Sequence, residues 1–160
     1  MIFILTGEIR TGKTTALLDW ISNRSDVDGL LCPDGEGGKR YFFKIKANET
    51  FKLEAEAEVE TENVIKIGSY IFLKSAFVKA NDYLISVASK TKCKYVIIDE
   101  LGKLELKNEG LHRSSEALIS SFKNNTTQHL ILVIRDYLLE DILRHYNISE
   151  YSLWKTEDLK

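Results

Sequence analysis

Near the start of the chain Gly7 and Gly12 bracket four residues, and Lys13, Thr14 and Thr15 follow, which gives the spacing G-x-x-x-x-G-K-T. Every residue type in that pattern has a task in holding a chain of phosphates. Backbone N–H groups from Gly7 through Glu8, Ile9, Arg10 and Thr11 to Gly12 point inward at phosphate oxygens. The helix that opens at Lys13 adds positive partial charge at the same place. Gly7 and Gly12 permit backbone angles and a close approach that a side chain would block. Lys13 reaches the β- and γ-phosphates, the Thr14 hydroxyl is suited to ligate Mg²⁺, and Thr15 completes the binding turn. The apolar run Ile2 to Leu5 before the loop and the helical pattern after it supply the strand–loop–helix context. That context separates a phosphate site from a solvated Gly/Lys turn.

A phosphate cradle of this kind needs a second acid for its metal. Tyr95-Val-Ile-Ile98 is an apolar strand pattern that ends in Asp99 and Glu100. Asp99 is expected to hold Mg²⁺, directly or through water, from the carboxyl end of its strand, where ligands gather in open α/β sheets. Glu100 beside it is the candidate to orient, or take a proton from, the water that attacks the γ-phosphate. Asp99-Glu-Leu-Gly102 also fits the D-x-x-G of GTPases. No N-K-x-D follows a later strand, so a guanine-selective switch is not expected. Arg135 follows the next apolar strand, His129 to Ile134. If that strand lies between the two phosphate-site strands, Arg135 faces the γ-phosphate and stabilises transition-state charge; the alternative is an ion pair with a nearby acid. His112, His129 and His145 show no metal-ligand spacing, and Cys32 and Cys93 form no C-x-x-C pair, so both cysteines read as reduced thiols.

The elements that must position these residues alternate. Helices are predicted from Thr14 to about Asn23, from Leu73 to about Ser89, and up to about Asn124, the last carrying Leu111, Leu118, Ile119 and Phe122. Another follows Asp136, which is suited to cap it, with Leu138, Leu139, Ile142 and Leu143 on one face. Extended segments surround a turn at residues 34–38 and another at 47–50, so an antiparallel hairpin insertion is expected near residues 29–60. Glu54, Glu56, Glu58, Glu60 and Glu62 alternate with other residues as on the solvated side of an edge strand. Val64 to Ile67 reads as a short strand ending in Gly68-Ser-Tyr70, and Tyr151 to Trp154 as a last strand before a fraying tail. Strands alternating with helices mean an α/β, three-layer fold with a largely parallel sheet. The 160 residues suit one domain spanning 1–160.

At 44% hydrophobic and 29% charged, the chain can bury a core. A net charge of −2 gives no general pull toward nucleic acid or anionic membrane, and no apolar run is long enough to span a bilayer. A strand beginning at residue 2 leaves no signal-peptide pattern, which points to the cytoplasm. Nothing in the residues fixes an oligomeric state, although one chain can hold a complete site and a monomer is favoured.

Taken together, Thr6-Gly-Glu-x-x-x-Gly-Lys-Thr-Thr15 and Val96-Ile-Ile-Asp-Glu-Leu-Gly-Lys-Leu-Glu-Leu106 resemble the small P-loop nucleoside-triphosphatases of the THEP type, also called cancer-related nucleoside-triphosphatases. Weaker similarity runs from Gly29 through Gly38-Lys-Arg-Tyr-Phe-Phe and Ile67-Gly-Ser-Tyr to the end. The resemblance implies a RecA-like core and slow, Mg²⁺-dependent hydrolysis of several nucleoside triphosphates to diphosphate and phosphate. Lys103 and Glu105 carry over from the family string; Lys103 either neutralises phosphate charge or forms a salt bridge in the loop after its strand. The chain departs from the family's usual Pro-Gly at Ile9-Arg10, where the guanidinium either reaches a phosphate or stays solvated. The rival readings are a nucleoside or nucleotide kinase of the same fold and a slow nucleotide-dependent regulatory module. A kinase would bring an arginine-rich lid, whereas Arg10, Arg24, Arg40, Arg113, Arg135 and Arg144 are scattered along the sequence.

Overall fold

The apolar runs separated by helical patterns become a mixed sheet of seven strands in the computed structural model, which describes residues 1–8, 12–55 and 63–159. Ile9, Arg10 and Thr11 of the loop, and Glu56, Glu58, Glu60 and Glu62 of the acidic stretch, lie outside the described residues. In chain order the elements are β1 (Ile2–Gly7), α1 (Lys13–Ile21), β2 (Val27–Leu31), β3 (Tyr41–Lys44), β4 (Glu49–Lys52), β5 (Val64–Ile67), β6 (Tyr70–Leu73), α2 (Lys74–Lys90) and β7 (Tyr95–Leu101). There follow α3 (Lys103–Leu106), α4 (His112–Phe122), β8 (His129–Arg135), α5 (Leu139–His145) and β9 (Ser152–Trp154).

The sheet order is β4-β3-β2-β7-β8-β1-β9. From β2 through β7, β8 and β1 to β9 all neighbours are parallel. The hairpin β3–β4 adds an antiparallel edge to β2, as the turn-rich stretch predicts. Alternation along each strand sends side chains to two cores. Ile2, Ile4, Val96, Ile98, Leu130, Leu132 and Ile134 face α2, α4 and α5. Leu5, Ile97, Ile131 and Val133 face Leu17 and Ile21 of α1. Full burial of a side chain such as Leu17 contributes about 1.5–3 kcal/mol, so α1 is anchored by packing rather than by propensity. Helices on both faces make this the expected three-layer α/β fold. Among the described residues no helix is long and apolar enough to cross a membrane.

At one position β2 leaves no room for a side chain against β7. Gly29 of β2 pairs with Ile97 of β7, has φ +119°, and would bring a Cβ to 2.2 Å from the Ile97 carbonyl oxygen. Only a residue without a side chain fits there.

Four sequence readings need correction. Asp136 does not cap α5: residues 136–138 form a 3₁₀ turn with no side-chain cap bond, and the helix begins at Leu139. The tail does not fray, because Thr156–Leu159 forms a 3₁₀ turn that buries Leu159 against Leu5 and Leu17. Glu54 is not on a solvated side; it is 6% exposed, accepts a hydrogen bond from the Arg40 N–H at 2.9 Å and pairs with Lys39. Tyr70 does not end the Val64 strand but starts β6, which returns through the turn at Gly68 and bridges Glu54 through Phe72.

Candidate active site

β1 delivers the chain to the loop and Gly12 starts α1 with φ +79°, a left-handed conformation suited to glycine. The Gly12 carbonyl accepts the Ala16 N–H at 2.8 Å, so helical bonding begins directly behind the loop. Lys13 is 6% exposed; its ammonium donates to the carbonyls of Gly7 at 3.3 Å and Glu8 at 2.7 Å. Burial lowers the Lys13 pKa, a drop opposed by the charges of Glu100 and Asp99. Thr15 lines the pocket beside it.

β8 lies between β1 and β7, which brings the two acids and the arginine to the loop. The Thr14 hydroxyl donates to Asp99 Oδ2 at 2.8 Å, and the Cys32 N–H at the end of β2 donates to the same oxygen at 3.1 Å. Asp99 is 1% exposed. Burial pushes its carboxyl up to about 7, the Glu100 charge adds to the rise, and the Cys32 and Thr14 bonds restrain it. A buried carboxylate next to a threonine hydroxyl is a hard-oxygen donor set that fits Mg²⁺. No cluster of three or more His, Cys, Asp or Glu ligands exists among the described residues.

A bulge in β7 falls between Asp99 and Leu101, where the register against β8 shifts. It leaves Asp99 on the α1 side, beside Thr14, while Leu101 returns to the face of Val96 and Ile98. The Asp99–Glu100 peptide is cis. Glu100 Oε1 meets Arg135 at 3.1 Å and Arg40 at 3.7 Å. Arg135 stands opposite Gly7 in the sheet register, at the mouth of the loop.

Arg40 is the residue the sequence did not single out. The turn after β2 carries it back over the sheet, where its guanidinium also packs over Tyr70 at 5.1 Å. Its sequence signals are a place in the weakly similar stretch Gly38-Lys-Arg-Tyr-Phe-Phe and a place next to Lys39 in a turn, and neither distinguishes it from a surface cation. Lys103 is exposed at the start of α3 and lines a neighbouring chamber rather than the loop pocket. Glu105 is buried and closes the turn after β7, accepting the Gly102 and Leu111 N–H groups at 2.7 Å each. Burial raises its carboxyl to about 7.

Two cavities share this wall. A polar one of about 350 Å³ runs over Gly12, Lys13, Thr14, Thr15, Asp99 and Arg135. An apolar one of about 210 Å³ lies on the other side of Cys32, Arg40, Tyr70, Asp99, Glu100 and Arg135, which line both.

The comparisons with known proteins speak for the family and the fold. A family model described as NTPase matches residues 2–157. A nucleoside-triphosphatase THEP1 of Saccharolobus solfataricus is 30% identical over 124 residues, covering 74% of this chain and 70% of that protein. The crystal structure of THEP1 from Aquifex aeolicus superposes with a TM-score of 0.71 at 17% identity, over 100% of this chain and 97% of the other. The solution structure of a human cancer-related nucleoside triphosphatase gives 0.68 at 18% identity, over 99% and 92%. At these identities the two structures speak for the fold.

Proposed function

The chain belongs to the THEP-type nucleoside-triphosphatase family, and on that premise we propose that it hydrolyses nucleoside triphosphates to diphosphate and phosphate, with Mg²⁺ and without selecting the base. The observation that carries the reading is the meeting of Thr14 with Asp99 at 2.8 Å while Glu100 and Arg135 pair at 3.1 Å beside them. The loop from Gly7 to Gly12, with Lys13 and Thr15, binds the triphosphate. Thr14 and Asp99 would hold Mg²⁺, which would supply charge neutralisation to the triphosphate.

Glu100 orients the attacking water and takes its proton. Arg135 and Arg40 fix the Glu100 carboxylate before the substrate arrives. Afterwards Arg135 offers its charge to the γ-phosphate, whose three oxygens carry the growing negative charge. Breadth toward the base is supported by Leu18, Pro33 and Tyr41 of the pocket lining, which offer apolar and stacking surface to any base. Residues 1–160 act as one catalytic domain in the cytoplasm, with free nucleotides as substrates.

Phosphate release from ATP, GTP, CTP and UTP with Mg²⁺, and again with EDTA, tests the reading. Release from all four that EDTA abolishes is expected. Release from one base alone, or undiminished release in EDTA, overturns base breadth or metal dependence respectively.

A further inference from the structure

Hydrolysis needs only a water beside Glu100. The protein instead places the apolar 210 Å³ chamber there, and this chamber has no role in the reaction just described. Its body is formed by Phe42, Leu53, Phe72, Phe77, Leu104 and Leu138, all buried. Most of its charged groups stand on one wall. Arg40, Asp99, Glu100 and Arg135 are the wall it shares with the phosphate pocket. Glu105, deeper in, has its oxygens engaged by the Gly102 and Leu111 N–H groups. Lys103 is exposed at the rim.

Size and lining narrow the occupant. A dry cavity of roughly 150 Å³ takes benzene, so this one suits a single ring or branched chain with a few further atoms. Apart from the shared wall and the engaged Glu105, the described lining offers side-chain polar groups only from Tyr137 and from Lys103 at the rim, and contains no Asn, Gln, Ser, Thr or His. A nucleobase or a sugar would therefore leave several donors and acceptors unpaired, at a cost the chamber does not offset. A molecule with an apolar body and one polar end meets no such cost when that end lies toward Glu100.

We propose that the chamber is a phosphoryl-acceptor site for a small, neutral alcohol or phenol with an apolar body, and that the enzyme transfers the γ-phosphoryl group to its hydroxyl in competition with water. The proposal rests on the nucleotide-site reading above. The acceptor oxygen attacks the γ-phosphorus and forms a new P–O bond, and its proton passes to the Glu100 carboxylate. The bond from the γ-phosphorus to the bridging oxygen breaks, and its electron pair leaves with the nucleoside diphosphate. The products are a phosphate monoester and a diphosphate, one of each per triphosphate consumed.

The test uses the full chain with Mg²⁺ and ATP, and para-cresol, benzyl alcohol, 2-phenylethanol and cyclohexylmethanol as probes. Phosphorus NMR reads monoester and free phosphate together, and methyl NMR reads occupancy at Ile67, Leu53, Leu104 and Leu138. At least one probe should shift those methyls and divert phosphate into monoester. Ile67→Trp, at the half-exposed edge of the chamber, should then lower the ratio of monoester to phosphate about tenfold or more, the loss expected when a pocket for an apolar group is filled. A ratio does not depend on how much of the variant is folded. Probes that shift the methyls yet give no monoester overturn transfer; no shift from any of them overturns the site. An unchanged ratio in Ile67→Trp overturns the chamber as the place of transfer. Separately, phosphate release that survives Lys13→Ala overturns the nucleotide-site reading itself.

Discussion

Replacing Gly29 by alanine is expected to destabilise the protein by about 1–6 kcal/mol, and the figure can be built from two costs and one offset. The backbone stands at φ +119°, where a residue with a Cβ pays roughly 1–3 kcal/mol. The new methyl would also meet the Ile97 carbonyl oxygen at 2.2 Å and its nitrogen at 2.5 Å. These are backbone atoms of a paired strand, so relief requires moving β2 from β7, an overpacking cost of about 1–3 kcal/mol. Loss of unfolded-chain entropy returns about 0.4–1 kcal/mol. Gly37 is the control: its φ of +69° lies near the left-handed region, which costs a side chain less than φ +119°, and nothing lies within 4 Å of its Cβ, so Gly37→Ala carries a backbone cost alone. Urea unfolding at 25 °C should show Gly29→Ala less stable than Gly37→Ala by at least about 1–3 kcal/mol, the steric part together with the costlier backbone angle. Equal losses in the two variants would refute the close-approach argument. The Cys32 N–H bond to Asp99 sits at the end of the same strand, so Gly29→Ala should also weaken Mg²⁺-dependent nucleotide binding.

Glu100→Gln should keep nucleotide binding and lose hydrolysis by about 10²–10⁴-fold, the range for a positioned general base; undiminished turnover removes Glu100 from that role. Lys13→Ala should weaken both binding and turnover, read by titration with a fluorescent nucleotide and by phosphate release; tight binding in the variant counts against its phosphate contact. Glu105 supplies a pH prediction. Its folded carboxyl is raised from 4.5 to about 7, so its contribution to stability is complete below about 4.5 and declines as pH rises toward 7, by about 3 kcal/mol at most. Unfolding free energies at pH 5, 6 and 7 should therefore fall more steeply in the parent than in Glu105→Gln, whose side chain does not titrate. Parallel slopes would rule out Glu105 as their source.

What could be read from the residues was whatever depends on neighbours along the chain. The loop from Gly7 to Thr15 carries its strand and helix in covalent sequence with it, and Asp99 and Glu100 end a β-branched run that has no other use than a buried strand. Even the place of Arg135 followed from the sheet order once β8 was assumed to lie between β1 and β7. Arg40 was illegible because it reaches Glu100 across 60 residues through a turn, and nothing local marks which cation of that turn folds inward. Glu54 was misread for a related reason. Alternation tells which residues share a face, but only the returning β6 strand decides that this face is covered. Asp136 has the chemistry of a cap, yet Arg135 must point back to the loop and the chain takes a 3₁₀ turn before it can enter α5. Leu159 reads as tail until the space between α1 and β1 is seen to need it.

The position of β1 in the sheet also bears on how the protein is made. Its sheet partners are β8 and β9, with Ile2 beside Leu130 and Phe3 beside Ser152. At a synthesis rate of about 5–20 residues per second, the phosphate-loop strand emerges roughly 6–26 s before its first partner strand exists. Until then Ile2, Phe3, Ile4 and Leu5 are an apolar segment with open edges on both sides, the kind of surface that binds other strands. While everything between β1 and β8 is being made, the most functional segment stays unpaired, and β8 and β9, which complete the sheet around it, also end that exposure.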